Sequence, residues 1–70
     1  MRARDPGEFG TILKKRRRKL GYTQSYLAEV SGLSASFISE LENGKTTAEL
    51  GKAMLLASLL GLNVEMEERT

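Results

Sequence analysis

Residues 23–45 read TQSYLAEVSGLSASFISELENGK, and this stretch carries the clearest fold signal in the sequence. Thr23 is a favoured N-cap for a helix that runs to about residue 31. Gly32 then interrupts the chain, because a left-handed backbone costs little only for glycine. Ser34 caps the next helix, which ends at Asn43, just before a glycine. The pattern therefore predicts two short helices joined by a tight turn.

The two helices divide their residues by face. The apolar positions are expected to be buried: Leu27 and Val30 in the first helix, and Phe37, Ile38 and Leu41 in the second. A helical wheel places a second group of residues on the opposite, polar face, with Glu42 on the border: Ala35, Ser36, Ser39, Glu40 and Asn43. Such a face is either simply solvated or presented to a partner.

An earlier helix is predicted from Pro6 to about Leu20. Asp5 is a favoured N-cap, proline suits the first helical position, and Glu8 has the spacing of a capping box. Arg16 falls within the apolar arc of this helix and Arg17 at its edge. These two side chains must extend along their aliphatic stems into solvent or find a carboxylate.

The last helix is apolar almost all round. Thr46 or Thr47 is expected to begin it, since Thr46 and Glu49 have the spacing of a capping box. One stripe is expected to face the other helices: Leu50, Ala53, Met54 and Ala57. A second stripe lies on a different side: Leu55, Leu59 and Leu62. An exposed stripe of three leucines is best used to bind a partner subunit.

After residue 61 the hydrophobic period changes to that of a strand. Leu62, Val64 and Met66 alternate with polar residues, and nothing else in the sequence reads as a strand. A lone strand either frays as a tail or pairs with the same strand of a second copy, antiparallel under two-fold symmetry. The predicted homodimer interface comprises Leu55, Leu59, Leu62, Val64 and Met66.

Composition narrows the class of protein. The 70 residues allow one domain, here an N-terminal arm (1–5), a helical domain (6–61) and a dimerisation strand with its tail (62–70). Cys and His are absent, so we expect no disulfide, metal, cofactor or enzyme activity. With neither a membrane-spanning stretch nor a signal peptide, the expected location is cytoplasmic.

Residues 1–45 carry nine Lys/Arg against five Asp/Glu, which indicates either a polyanionic partner or an unevenly charged surface.

Residues 23–45 contain, in order, the strings Thr-Gln, Leu-Ala, Gly-Leu-Ser, Ile-Ser and Leu-Glu-Asn-Gly-Lys. This combination resembles the phage-repressor (Cro/cI, XRE-type) helix-turn-helix family. The resemblance extends from Phe9-Gly10 to about Leu62. It implies an all-α, four-helix, lambda-repressor-like domain that binds double-stranded DNA, with the helix at Ser34 to Asn43 in the major groove.

The same resemblance implies roles for individual residues. Base edges would be read by Ala35, Ser36, Ser39 and Glu40. DNA phosphates would be held by Thr23, Gln24, Asn43 and Lys45. A structural ion pair would join Arg17 to Glu42, across the edges of two apolar faces. The basic run of residues 14–19 either flanks the DNA backbone or points into solvent.

Some positions depart from the family pattern. Ala35 stands where a longer polar side chain is common, and Tyr26 where an acidic residue often completes a capping box. Glu40 accepts hydrogen bonds from cytosine but repels phosphate, and the reading face has no Arg or Lys for guanine. Direct readout is therefore expected to be modest.

The C-terminal strand resembles the tails of helix-turn-helix antitoxins from bacterial toxin–antitoxin pairs. We therefore expect a homodimeric, sequence-specific transcriptional repressor that binds a pseudo-palindromic operator. The tail further implies an autoregulating antitoxin with a cognate toxin as partner. The alternative is a protein-interaction module on the same fold that has lost DNA binding.

Overall fold

The computed structural model describes residues 1–69, which form four α-helices. These are α1 (Pro6–Lys19), α2 (Gln24–Ser31), α3 (Ala35–Glu42) and α4 (Leu50–Leu59). The predicted all-α, four-helix fold is confirmed. No helix in this described part of the chain is long and apolar enough to span a membrane.

The first three helices begin at the residues that the sequence predicts. Asp5, Thr23 and Ser34 each accept a hydrogen bond from the backbone N–H three residues later, at 2.8, 3.0 and 3.0 Å. Each therefore satisfies one of the unpaired donors at a helix start. One detail differs, because the carboxylate of Glu8 accepts from the backbone and side chain of Arg4 rather than from the N–H of Asp5.

The core lies where the four helices meet. Its buried members are Leu13, Leu27, Ile38, Leu41, Ala53, Leu56, Ala57 and Leu60. Gly10 allows α1 to approach α3, since a Cβ added there would lie 2.7 Å from the carbonyl oxygen of Glu42. Val30 is predicted to be buried but is 52% exposed, because the inward side of α2 runs through Leu27 and Ala28.

Helix α4 starts later than predicted and turns a different stripe inward. The capping box at Thr46 does not form, because residues 46–47 make a turn and α4 begins at Leu50, without a side-chain cap. Ala53 and Ala57 are buried as expected. The inner stripe continues through Leu56 and Leu60, while Leu50 and Met54 are exposed. Because almost every position of α4 is apolar, only contact with the other helices selects the inward side.

The predicted C-terminal strand does not form within residues 62–69. A strand is defined by backbone pairing, and the described chain offers no second strand to pair with. Leu62 packs against the core instead of lying on an outer stripe, and its N–H donates to the carbonyl of Ala57 at 2.9 Å. Val64 and Met66 remain 48% and 98% exposed.

Candidate nucleic-acid interface

Helix α3 presents a polar face to solvent. Ile38 and Leu41, on its opposite face, are buried in the core and fix the helix against α1 and α2. The predicted base-reading residues lie together on the outer side: Ala35, Ser36 and Glu40 are exposed and Ser39 is half-buried. The structure thus brings these four residues onto one accessible surface of a firmly packed helix.

The C-terminal end of α3 carries two residues predicted to hold phosphates, and both have partners within the chain. Lys45 Nζ lies 2.7 Å from Glu40 Oε2, with both side chains about half exposed. Asn43 Nδ2 donates to the carbonyl of Ser39 at 2.9 Å. Exposed contacts of this kind contribute little free energy, so an anion can replace them at low cost. In the free chain, however, Lys45 offsets the charge of Glu40.

The predicted ion-pair partners meet in the interior. Arg17 Nε and Nη2 donate to the two carboxylate oxygens of Glu42, at 2.7 and 3.0 Å. The residues are only 7% and 6% exposed, so the pair is shielded from water. The guanidinium also donates from Nη1 to the carbonyl of Tyr22, at 2.8 Å. One side chain of α1 thereby ties α3 to the segment that leads into α2.

The same carboxylate holds Gln24, to which the family resemblance separately assigns a DNA phosphate. Gln24 Nε2 donates to Glu42 Oε1 at 3.0 Å. Gln24 is the first residue of α2, and Thr23 beside it is exposed. At the start of α2, a capped helix end therefore lies beside the Gln24 amide, which is held in place by the buried carboxylate of Glu42. The spacing of residues along the sequence gives no signal of this contact.

Hydrogen bonds and nearby charges set the protonation of the pair. Burial raises the pKa of Glu42. Hydrogen bonds from Arg17 and Gln24, together with the positive charges of Arg17 and Lys14, lower this pKa by more than burial raises it. The pKa of Glu42 therefore lies below its usual value. The hydrogen bond to Glu42 raises the pKa of Arg17 despite its burial. Both groups are therefore charged at neutral pH.

The basic run of residues 14–19 does not form one surface. Arg17 points into the interior, and Arg16 Nε donates to the carbonyl of Leu60 at 2.8 Å, where it caps the end of α4. Lys15 and Lys19 line a groove shared with the C-terminal tail. Arg16, which lay in the predicted apolar arc, thus finds a backbone carbonyl instead of a carboxylate.

Helices α2 and α3 are both capped and are joined by a tight turn. One face of α3 packs on the core and its opposite face is polar and accessible. These features define a helix-turn-helix protein. The sequence profile of the helix-turn-helix family matches residues 13–66, and the chain belongs to this family. The uncharacterized HTH-type transcriptional regulator y4mF of Sinorhizobium fredii is 32% identical over 65 residues, which cover 93% of this chain and 86% of that protein.

Solved structures share the whole fold. A HipB–O4 20-mer complex superposes with a TM-score of 0.88 at 24% identity, covering 100% of this chain and 99% of the HipB chain. A HipA–HipB–O2–O3 complex matches with the same TM-score, identity and coverage. At this level of identity the likeness shows a common fold.

Proposed function

We propose that this protein is a DNA-binding transcriptional repressor. The observation that carries the proposal is the outward polar face of α3 beside the capped start of α2, on the fold of a helix-turn-helix protein. Ala35, Ser36, Ser39 and Glu40 would meet base edges in the major groove. Thr23, Gln24, Asn43 and Lys45 would contact phosphates. The name of the relative y4mF, a transcriptional regulator, supports the same role.

Affinity would rest more on phosphates than on bases. The outward face of α3 offers a methyl group at Ala35, which suits a thymine methyl, and short hydroxyls that discriminate weakly between bases. Glu40 is the one strong acceptor on this face, suited to a cytosine amino group. The helix has neither Arg nor Lys for bidentate guanine contacts. Sequence preference would then depend on how two copies are spaced.

A homodimer would supply that spacing. Leu55 and Leu59 lie on the outer side of α4 and are 43% and 44% exposed. Exposed leucines in a row are costly in water and favour association with another copy. Val64 and Met66, which are 48% and 98% exposed on the tail, would add apolar contacts to this interface. Two recognition helices about 34 Å apart would then read a pseudo-palindromic operator.

The first test is binding to the DNA immediately upstream of the chain's own reading frame, measured by fluorescence anisotropy over a series of salt concentrations. Affinity should fall steeply with salt, because phosphate contacts release counterions. Ser36→Asp should weaken binding by about tenfold or more. An acidic residue in the first turn of α3 suits the helix dipole, so this variant should fold normally while it repels DNA.

Lys15→Gln is the matched control. It changes the net charge by the same amount, but Lys15 lies beside the C-terminal tail. Its effect should be no more than about twofold, through net charge alone. An equal loss in both variants would show that only overall charge matters. If the wild-type chain fails to bind even at low salt, the alternative of an interaction module without DNA binding is favoured.

The second test addresses the dimer. Leu59→Lys should convert the protein to a monomer in size-exclusion chromatography with light scattering at micromolar concentration. Val30→Lys is the control, since Val30 is similarly exposed but lies on α2, away from the proposed interface. A monomeric wild-type chain, or dissociation caused equally by both substitutions, would contradict the proposed interface.

We further propose that the repressor is an autoregulating antitoxin that works in the cytoplasm. The tail resembles those of such antitoxins, and the HipB fold occurs in an assembly that also contains HipA. The test is co-expression with the product of the neighbouring gene. The neighbour should inhibit growth when expressed alone, and should co-purify with this chain and lose its toxicity when both are present. A harmless neighbour that does not co-purify would contradict the proposal.

A further inference from the structure

The buried ion pair has a second consequence, at the surface. Glu42 Oε1 accepts from Gln24 Nε2 as well as from Arg17 Nη2, both at 3.0 Å. Glu42 Oε2 accepts from Arg17 Nε at 2.7 Å. The carboxylate is itself held rigidly by a guanidinium that is anchored on the carbonyl of Tyr22. Gln24 is thus attached to a fixed point in the interior rather than to another mobile surface group.

This attachment dictates which way the amide of Gln24 faces. An ionised carboxylate only accepts hydrogen bonds, so the amide nitrogen of Gln24 must turn towards Glu42. One of its two N–H groups is used there, and the second stays free. Glutamine has a flexible side chain, and a partner that fixes its rotamer in advance removes an entropy loss from a later binding step.

The fixed amide stands at the start of α2, where backbone donors are also available. Thr23 already satisfies the N–H of Tyr26 with its side chain and that of Leu27 with its carbonyl. The N–H groups of Gln24 and Ser25, in the first turn, have no partner within the helix. The second N–H of the Gln24 amide is a further donor on the residue that opens α2, and donors at a helix start suit a phosphate oxygen.

We propose that Glu42 is a positioning residue for DNA binding: through its hydrogen bond it preorganises the Gln24 amide for a backbone phosphate. This role rests on the proposed DNA-binding function and extends it. Arg17 acts one step further back, because it fixes the carboxylate. The pair that joins α1 to α3 is in this way also coupled to the phosphate contact of α2.

The test is a double-mutant cycle on DNA affinity, with a fluorescent duplex of about 20 base pairs, two helical turns, in about 50 mM salt. The proteins are wild type, Gln24→Ala, Glu42→Gln and the double variant, each shown by circular dichroism to be folded at the assay temperature. A glutamine at position 42 both donates and accepts, so it no longer dictates the direction of the Gln24 amide. Glu42→Gln should weaken binding roughly two- to tenfold.

The cycle is read from the coupling between the two positions. In the Glu42→Gln background, Gln24→Ala should cost clearly less affinity than it does in wild type. Glu40→Gln is the matched control, with the same chemical change on the same helix; in that background the full effect of Gln24→Ala should remain. If the effects of Gln24→Ala and Glu42→Gln simply multiply, the positioning role is overturned.

A second measurement does not depend on DNA or on the folding of a variant. NMR relaxation of the ¹⁵N-labelled wild-type chain should give the Gln24 side-chain amide an order parameter of about 0.8, close to that of rigid backbone. A value below about 0.6 would overturn the proposal, because the amide would then be mobile. A wild-type chain that does not bind the duplex overturns the proposed function and this role together, whereas binding with uncoupled effects overturns only the role of Glu42.

Discussion

Replacing Glu42 by alanine removes the centre of the buried network and leaves Arg17 in place. The carboxylate accepts three hydrogen bonds, two from Arg17 and one from Gln24. Without it, the guanidinium keeps only its bond to the carbonyl of Tyr22 and remains charged inside the protein. The chain has no other acid in contact with Arg17 among the described residues.

The expected magnitude follows from this burial. Removal of one partner from a buried ion pair costs about 3–5 kcal/mol, because the remaining charge is desolvated and unpaired. A domain of 70 residues has a free energy of unfolding of about 4–10 kcal/mol. Glu42→Ala should therefore remove about 30% or more of the free energy of unfolding, and leave part of the population unfolded at 37 °C if the wild type lies at the low end.

The assay is urea unfolding followed by circular dichroism, at one protein concentration because association adds to stability. Glu40→Ala is the control: Glu40 is on the same helix and its ion pair has the same 2.7 Å separation, but both partners are about half exposed. It should cost less than about 1 kcal/mol. If Glu42→Ala costs no more than Glu40→Ala, burial does not set the strength of the pair and the reasoning is refuted.

The pH dependence of the same difference gives a second check. The pKa of Glu42 is lower in the folded chain than its ordinary value, so the unfolded chain binds a proton more readily. The contribution of the carboxylate is complete above the unfolded pKa of about 4.3 and is lost as the pH falls through the folded pKa. The stability gap between wild type and Glu42→Ala should be constant near neutral pH and shrink below about pH 4.

Three further predictions follow from particular contacts. Gly10→Ala should lower the free energy of unfolding by about 3 kcal/mol, because the added Cβ meets the backbone of α3. Gly51→Ala is the control and should raise the free energy of unfolding by up to about 1 kcal/mol, since a Cβ there meets nothing within 4 Å. Equal effects of the two substitutions in thermal melts would disprove the close approach of α1 to α3. Thr23→Ala should cost about 1 kcal/mol by loss of the α2 cap, and an unchanged melting temperature would contradict this. Glu40→Gln should strengthen binding to DNA of unrelated sequence, because it removes a negative charge that repels phosphates and releases Lys45 from its ion pair; unchanged affinity for such DNA in the anisotropy series would count against it.

Local signals in the sequence determined the helices that carry the proposed interface. Asp5, Thr23 and Ser34 were identified as caps because their side chains satisfy backbone donors three residues away, an interaction that needs no other part of the fold. The split of α3 into an apolar and a polar face follows from helical geometry alone. The pairing of Arg17 with Glu42, in contrast, was implied by family resemblance and placed at the edges of two apolar faces.

Tertiary structure alone decided which side of α4 turns inward, where that helix begins and what becomes of the tail. Leu50 to Leu60 are apolar on nearly every side, so their pattern permits several inward stripes with similar burial. Only the shape of the surface formed by α1, α2 and α3 selects Leu56 and Leu60. The hydrogen bond from Gln24 to Glu42 is also invisible in the sequence, because it joins residues 18 positions apart whose approach depends on how α2 packs against α3. Local geometry fixes caps and faces; contacts between distant residues require the packed chain.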